Sequence, residues 1–113
     1  MDKSAMVMLR AIIRPEKVEA VLAALGAAGF PAVTRIEVFG RGKQRGLKLG
    51  TVVYDELPKE LLMTVVPAAA QQEVVKTIMA AARTGEKGAF GDGKVFVSSV
   101  SAVYTISTGQ REA

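Results

Sequence analysis

The chain has 113 residues, a formal net charge of +4, half of its residues hydrophobic and only 5% aromatic. That length supports one aliphatic core and a single domain over residues 1–113. The lack of Cys and His excludes thiol chemistry, ordinary zinc sites and imidazole acid–base catalysis. A cysteine-free chain fits a reducing compartment. No apolar run is long enough to span a bilayer. Arg10 interrupts the apolar stretch after Lys3, which argues against a signal peptide. The sequence therefore reads as cytoplasmic, soluble and without membrane insertion.

Met6 to Ile13 is an apolar run broken only by Arg10 and reads as a buried strand. Pro15 suits the first turn of a helix and Glu16 the positive end of its dipole. Val18, Val21, Leu22 and Leu25 then fall on one stripe, and Gly29 stops the helix. Val33 to Phe39 is expected as a second strand, with Thr34, Ile36 and Val38 on one face and Arg35 and Glu37 on the other. Residues 40–57 are rich in glycine and charge, without a clear period. Arg41, Lys43, Arg45 and Lys48 lie between Gly40 and Tyr54 with no acid among them, so that segment carries a charge equal to the chain's net +4. Loops of this length in small domains are functional or disordered.

Lys59 to Val66 resumes an apolar strand, which Pro67 ends. From Ala69 to about Arg83 the pattern is helical, with Val74, Val75, Ile78, Met79 and Ala82 on one side. Gly88-Ala89-Phe90-Gly91-Asp92-Gly93-Lys94 follows. Its glycines bare main-chain N–H groups and permit positive φ, and a terminal lysine adds a point charge suited to phosphate. The spacing is close to that of a Walker A loop. Val95 nevertheless stands where a magnesium-binding hydroxyl belongs, and Val95-Phe96-Val97 has strand character. The P-loop is rejected and the phosphate kept; an ordinary glycine turn before a strand is the competing reading. Lys94 to Val100 is a fourth strand, and Val103 to Ser107 alternates as a short strand would.

The order βαββαβ is that of an α+β, ferredoxin-like fold, with an antiparallel sheet and both helices on one face. The other face is expected to be polar. Yet Met6-Val7-Met8-Leu9 and Leu61-Leu62-Met63 are apolar on both, which predicts an oligomer packed through the open face.

Several motifs, in order, resemble the PII signal-transduction family, from about Met6 to Gly109. They are Ala11-Ile12-Ile13-Arg14-Pro15, Gly40-Arg41-Gly42-Lys43-Gln44-Arg45-Gly46, Leu57-Pro58-Lys59, Val65-Val66-Pro67, Thr84-Gly85 and Gly91-Asp92-Gly93-Lys94-Val95-Phe96-Val97. The longer spacer of Thr84-Gly85-Glu86-Lys87-Gly88-Ala89-Phe90-Gly91 and the closing Tyr104-Thr105-Ile106-Ser107-Thr108-Gly109 are similar to the subgroup linked to nitrogenase control. The resemblance implies a non-enzymatic regulator, trimeric or mixed with a second PII-like chain, with ATP or ADP in clefts between subunits. It implies that Gly91, Asp92, Gly93 and Lys94 hold phosphates. Thr34, Gly40, Gly42, Lys43, Val65 and Thr84 would line the nucleotide site, with Ile12 as apolar support. Gln44 would help to hold Mg²⁺ and 2-oxoglutarate, and Lys59 would meet a carboxylate of that metabolite. The chemistry agrees, because a keto-acid offers hard oxygen ligands to a magnesium already on phosphates. The implied target is a nitrogenase component, engaged by the 40–57 loop as it orders differently with each ligand.

Two departures stand out. The wider family carries RIRTG near its C-terminus, with two arginines on the phosphates; here those positions are Thr105 and Ser107. Arg83, Lys87 or Arg111 are the available substitutes. Tyr54 does not align with the tyrosine that some members carry for nucleotidylation, so no modification site is transferred.

Two other classes compete. A βαββαβ sheet with a pI near 9.6 also fits an RNA-recognition module, but that needs stacking aromatics, and Phe96 is the lone aromatic of its strand. A nucleotide hydrolase needs a general base, and Asp55 and Glu56 are the only neighbouring acids in view.

Overall fold

The computed structural model describes residues 5–41 and 57–113. Its elements are strand β1 (Met6–Ile13), helix α1 (Val18–Ala27), β2 (Thr34–Gly40), β3 (Leu57–Pro67), helix α2 (Gln71–Ala82), β4 (Gly93–Val100), β5 (Tyr104–Thr105) and β6 (Gln110–Arg111). Each helix is entered through a single 3₁₀ turn, Pro15–Lys17 and Ala68–Ala70. The α-helices thus begin a few residues later than their apolar periodicity suggests. Pro15 lacks the N–H that a longer helix would use, but it sits without cost at the head of the turn.

Four strands form one antiparallel sheet in the order β2-β3-β1-β4. This is the α+β, ferredoxin-like arrangement that the element order predicts. The alternating half of β1, namely Val7, Leu9, Ala11 and Ile13, is buried with Leu62 and Val66 of β3, with Val18, Val21 and Leu25 of α1, and with Val74, Ile78 and Ala82 of α2. Each Val, Leu and Ile among them contributes about 1.5–3 kcal/mol by leaving water. Met79 lies at the edge of that stripe and is exposed. Two polar ties cross the helix-covered side. Arg35 Nε donates to Glu60 Oε1 at 2.8 Å, and Thr64 Oγ1 donates to the Ala32 carbonyl at 2.9 Å.

On the opposite face the register sets Ile36 beside Leu61, Leu61 beside Ile12, Thr34 beside Met63, and Met8 beside Val65. Arg10, Lys59 and Lys94 are the cations placed on that face by strand alternation, and no acid accompanies them on the four strands.

The expected short strand of the tail forms at Tyr104–Thr105, and it pairs with Gln110–Arg111 in a ribbon separate from the main sheet. Gly109 explains this: at φ 70° it adopts a left-handed turn that few other residues accept, and its N–H closes on the Thr105 carbonyl at 2.8 Å. The chain therefore doubles back after four turn residues, and Ile106 is left 97% exposed at the tip.

Candidate functional site

The site is built where β1 ends and β4 begins. Ile13 pairs with Gly93, so the residues just beyond that pair, Arg14 and Asp92, meet across the gap. Arg14 Nε donates to Asp92 Oδ1 at 2.9 Å. The same carboxylate gathers the whole loop. It accepts from Thr84 Oγ1 at 2.7 Å, from the Thr84 N–H at 3.1 Å and from the Ala89 N–H at 2.9 Å. Burial alone would raise the Asp92 carboxyl. The hydrogen bonds from Thr84, Ala89 and Arg14 outweigh it and hold the group well below the usual carboxylate range. Asp92 is thus an anionic hub facing into the loop, and Thr84 is one of the groups it holds.

Lys59 approaches the same loop from β3. Its side chain is nearly buried and its Nζ donates to the Gly91 carbonyl at 2.6 Å. Burial first, then the neighbouring Arg14 guanidinium, hold this ammonium below its usual value. Glu16 and Asp92 attract the ammonium, but they do not make up for burial and the Arg14 charge, and its hydrogen-bond acceptor is a neutral carbonyl. Gly40, the last residue of β2, lets Lys59 lie there: a Cβ on Gly40 would stand 3.3 Å from Lys59 Cγ. Ile12 lies between Lys94 and Leu61 in the register. Ile12, Gly40, Lys59, Thr84 and Gly91 to Lys94 are therefore brought to one end of the sheet.

Thr34 and Val65 are not. They line a cleft of ≈ 370 Å³ with Met8, Ala32, Val33 and Met63 at the other end of the open face. Val65 lies six residue steps beyond Lys59 along extended β3, about 20 Å at the usual strand rise. The expected nucleotide residues form two groups, and one chain does not close them round a single ligand.

The sequence profile of the family described as "Nitrogen regulatory protein P-II" matches residues 6–110. The chain belongs to the PII family. Its relatives include the nitrogen fixation nifHD region GlnB-like protein 1 of Methanothermobacter marburgensis, 50% identical over 103 residues, which cover 91% of this chain and 95% of the relative. The nifHD2 region GlnB-like protein 1 of Methanosarcina barkeri is 48% identical over 106 residues, 94% of this chain and 98% of that one. Among solved structures, Arabidopsis thaliana PII bound to citrate superposes with a TM-score of 0.76 at 34% identity, covering 96% of this chain and 87% of that one. PII proteins are regulatory signal transducers, and this chain is a PII-like nitrogen regulator of the nitrogenase-linked group.

Gly42, Lys43 and Gln44 of the PII loop, and Tyr54, lie outside the described residues. Of the cations considered as substitutes near Thr105 and Ser107, Arg111 is tied to the tail, its Nε donating to the Ala113 carbonyl at 2.9 Å. Arg83 Nη1 donates to the Glu86 carbonyl at 3.5 Å, and Arg83 shares a cleft with Asp92, Gly93 and Lys94. Thr105 donates its hydroxyl to Glu112. Among the described residues no helix is long and apolar enough to cross a membrane, and no group of three acids could by itself hold a metal.

Arg14 is the residue that sequence reasoning passed over, although it was quoted within a motif. The signal was available. In an antiparallel pair, the first residue past the end of one strand meets the residue just before the start of the other, and that arithmetic sets Arg14 against Asp92.

Proposed function

We propose that this PII chain acts as a non-enzymatic, cytoplasmic sensor, a single domain that assembles as a trimer or with a second PII-like chain. It binds ATP or ADP between neighbours and 2-oxoglutarate beside the nucleotide, and it controls a nitrogenase component through the 40–57 loop. The carrying observation is Lys59, a nearly buried ammonium whose one hydrogen-bond acceptor among the described residues is the neutral Gly91 carbonyl, at the edge of a glycine loop. A dicarboxylate supplies the charge it lacks. The solved PII neighbour is bound to citrate, another polycarboxylate, which supports the same chemistry.

Ile12, Gly40, Thr84, Gly91, Gly93 and Lys94 serve the phosphate end, with Asp92 holding the loop. Thr34 and Val65 of a neighbouring copy serve the other end, and Gly42 and Lys43 belong to the loop that closes the site. Gln44 would help to hold Mg²⁺, a cation that keeps few protein ligands and would supply charge neutralisation to phosphate and keto-acid oxygens. A nucleic-acid role is disfavoured, because on the four strands Phe96 is the one aromatic of the open face among the described residues.

Calorimetry with ATP and Mg²⁺, with and without 2-oxoglutarate, tests the reading. The metabolite will bind measurably only with Mg-ATP present. Gln44→Ala will weaken 2-oxoglutarate at least tenfold while changing ATP by less than threefold. Equal losses contradict the bridging metal, and a protein that responds to neither ligand removes the sensor. Assembly is checked separately. Light scattering at micromolar concentration will return about three times the 11.9 kDa chain mass, and a monodisperse monomer rejects the inter-subunit site.

A further inference from the structure

Arg14 and Lys59 turn inward to the loop. Arg14 Nη2 donates to the Phe90 carbonyl at 2.6 Å, and Lys59 Nζ donates to the next carbonyl, that of Gly91, also at 2.6 Å. Two cations therefore draw two consecutive carbonyl oxygens to the same side. In a planar trans peptide the C=O and N–H point in opposite directions. Drawing Phe90 O toward Arg14 turns the Gly91 N–H away from it, and drawing Gly91 O toward Lys59 turns the Asp92 N–H away from that ammonium. Among the described residues the Gly91 N–H has no acceptor, and the Asp92 N–H reaches only the Ala89 carbonyl, at 3.2 Å. Positive φ at Gly88, Gly91 and Gly93 (77°, 92° and 110°) permits such a concave run of N–H groups, which is how backbone binds anions.

We propose that Lys59, with Arg14, is a positioning residue that aims the Gly91 N–H and the loosely held Asp92 N–H at a phosphate, the Ala89 N–H being taken by Asp92 Oδ2. Nucleotide affinity then depends on Lys59 even when no metabolite is present. This rests on the nucleotide reading above and goes beyond it, since there Lys59 serves the dicarboxylate alone. A cation on a carbonyl also polarises its peptide and sharpens the N–H as a donor. Lysine has three donors, and the Gly91 carbonyl takes one. The same ammonium can therefore hold the loop and a metabolite carboxylate together, so that a bound metabolite firms the loop without touching the nucleotide.

The experiment is calorimetric titration with ADP, in EDTA and without 2-oxoglutarate, which takes the magnesium bridge out of play. Wild type, Lys59→Met, Lys59→Arg and Arg14→Gln are compared, with melting temperature and oligomeric mass recorded for each. The expected result is ADP binding weakened about tenfold or more by Lys59→Met at unchanged assembly, restored in large part by Lys59→Arg, and weakened also by Arg14→Gln. Should Lys59→Met fail to assemble, Arg14→Gln decides. Unchanged ADP affinity in either assembled neutral variant overturns the proposal while leaving the nucleotide reading intact. A wild-type chain that binds no ADP removes that reading, and this proposal with it.

Discussion

A Gly93→Ala variant is expected to lose about 3–4 kcal/mol of folding stability, roughly 12–16 °C in melting temperature for a domain of this length. Gly93 opens β4 at φ 110°, in the region that L side chains rarely adopt. An added Cβ would stand 1.7 Å from the Ile12 carbonyl oxygen and 2.8 Å from its carbon. Both atoms are backbone of the central strand, so no rotamer change relieves the clash. Relief requires pulling β4 off β1 at the Ile13–Gly93 pair, where Asp92 and Arg14 are also held. Gly29→Ala is the control. That residue has a similar φ of 97°, but a Cβ there meets nothing within 4 Å, so only the backbone strain applies, about 1 kcal/mol. Thermal melts of the two variants separate the contributions. Equal shifts would mean that the β1–β4 contact carries none of the cost.

The second large effect is at Asp92. Asp92→Asn keeps the shape but removes the charge from an acceptor of four hydrogen bonds, from Thr84 twice, Ala89 and Arg14. It also turns an amide N–H₂ toward donors. Charge-assisted bonds are worth about 1.5–3 kcal/mol each; because the side chain is 19% exposed, the expected net loss is about 2 kcal/mol, near 8 °C. The sign with pH follows from the depressed carboxyl. Its contribution is complete above the ordinary carboxylate pKa, about 3.9, and drains away as pH falls below that toward the lower folded-state value. Melting curves of wild type and Asp92→Asn should lie farthest apart from pH 5 upward and draw together progressively as pH falls below 4. A gap as wide at pH 2.5 as at pH 6 would show that the charge is not what Asp92 contributes.

Much of this arrangement was legible in the residues. Met6 to Ile13 declared itself a strand through unbroken apolarity, and the register bears this out with one half on the core and the other on the open face. Val18, Val21 and Leu25 declared their helix face by spacing alone. Boundaries were blurred where Pro15 and Pro67 sit, because a 3₁₀ turn and an α-helical first turn share the same local preferences. Asp92 was legible as part of a glycine loop but not as its hub. Whether its carboxylate faces a ligand or its own loop depends on Thr84 and Arg14, 8 and 78 residues away in sequence. Likewise the division of the expected ligand residues into two groups depends on how far Val65 lies from Lys59 along β3. A set of motifs quoted in chain order does not contain that distance.

That separation has a consequence for how the protein would behave on dilution. Where each pocket draws one end from one copy and the other end from the next, a lone chain owns two unfinished pockets and no whole one. Occupancy and self-association then become one equilibrium. Nucleotide would act as mortar between copies, and a preparation thinned below its dissociation constant would go deaf to its signal while still fully folded.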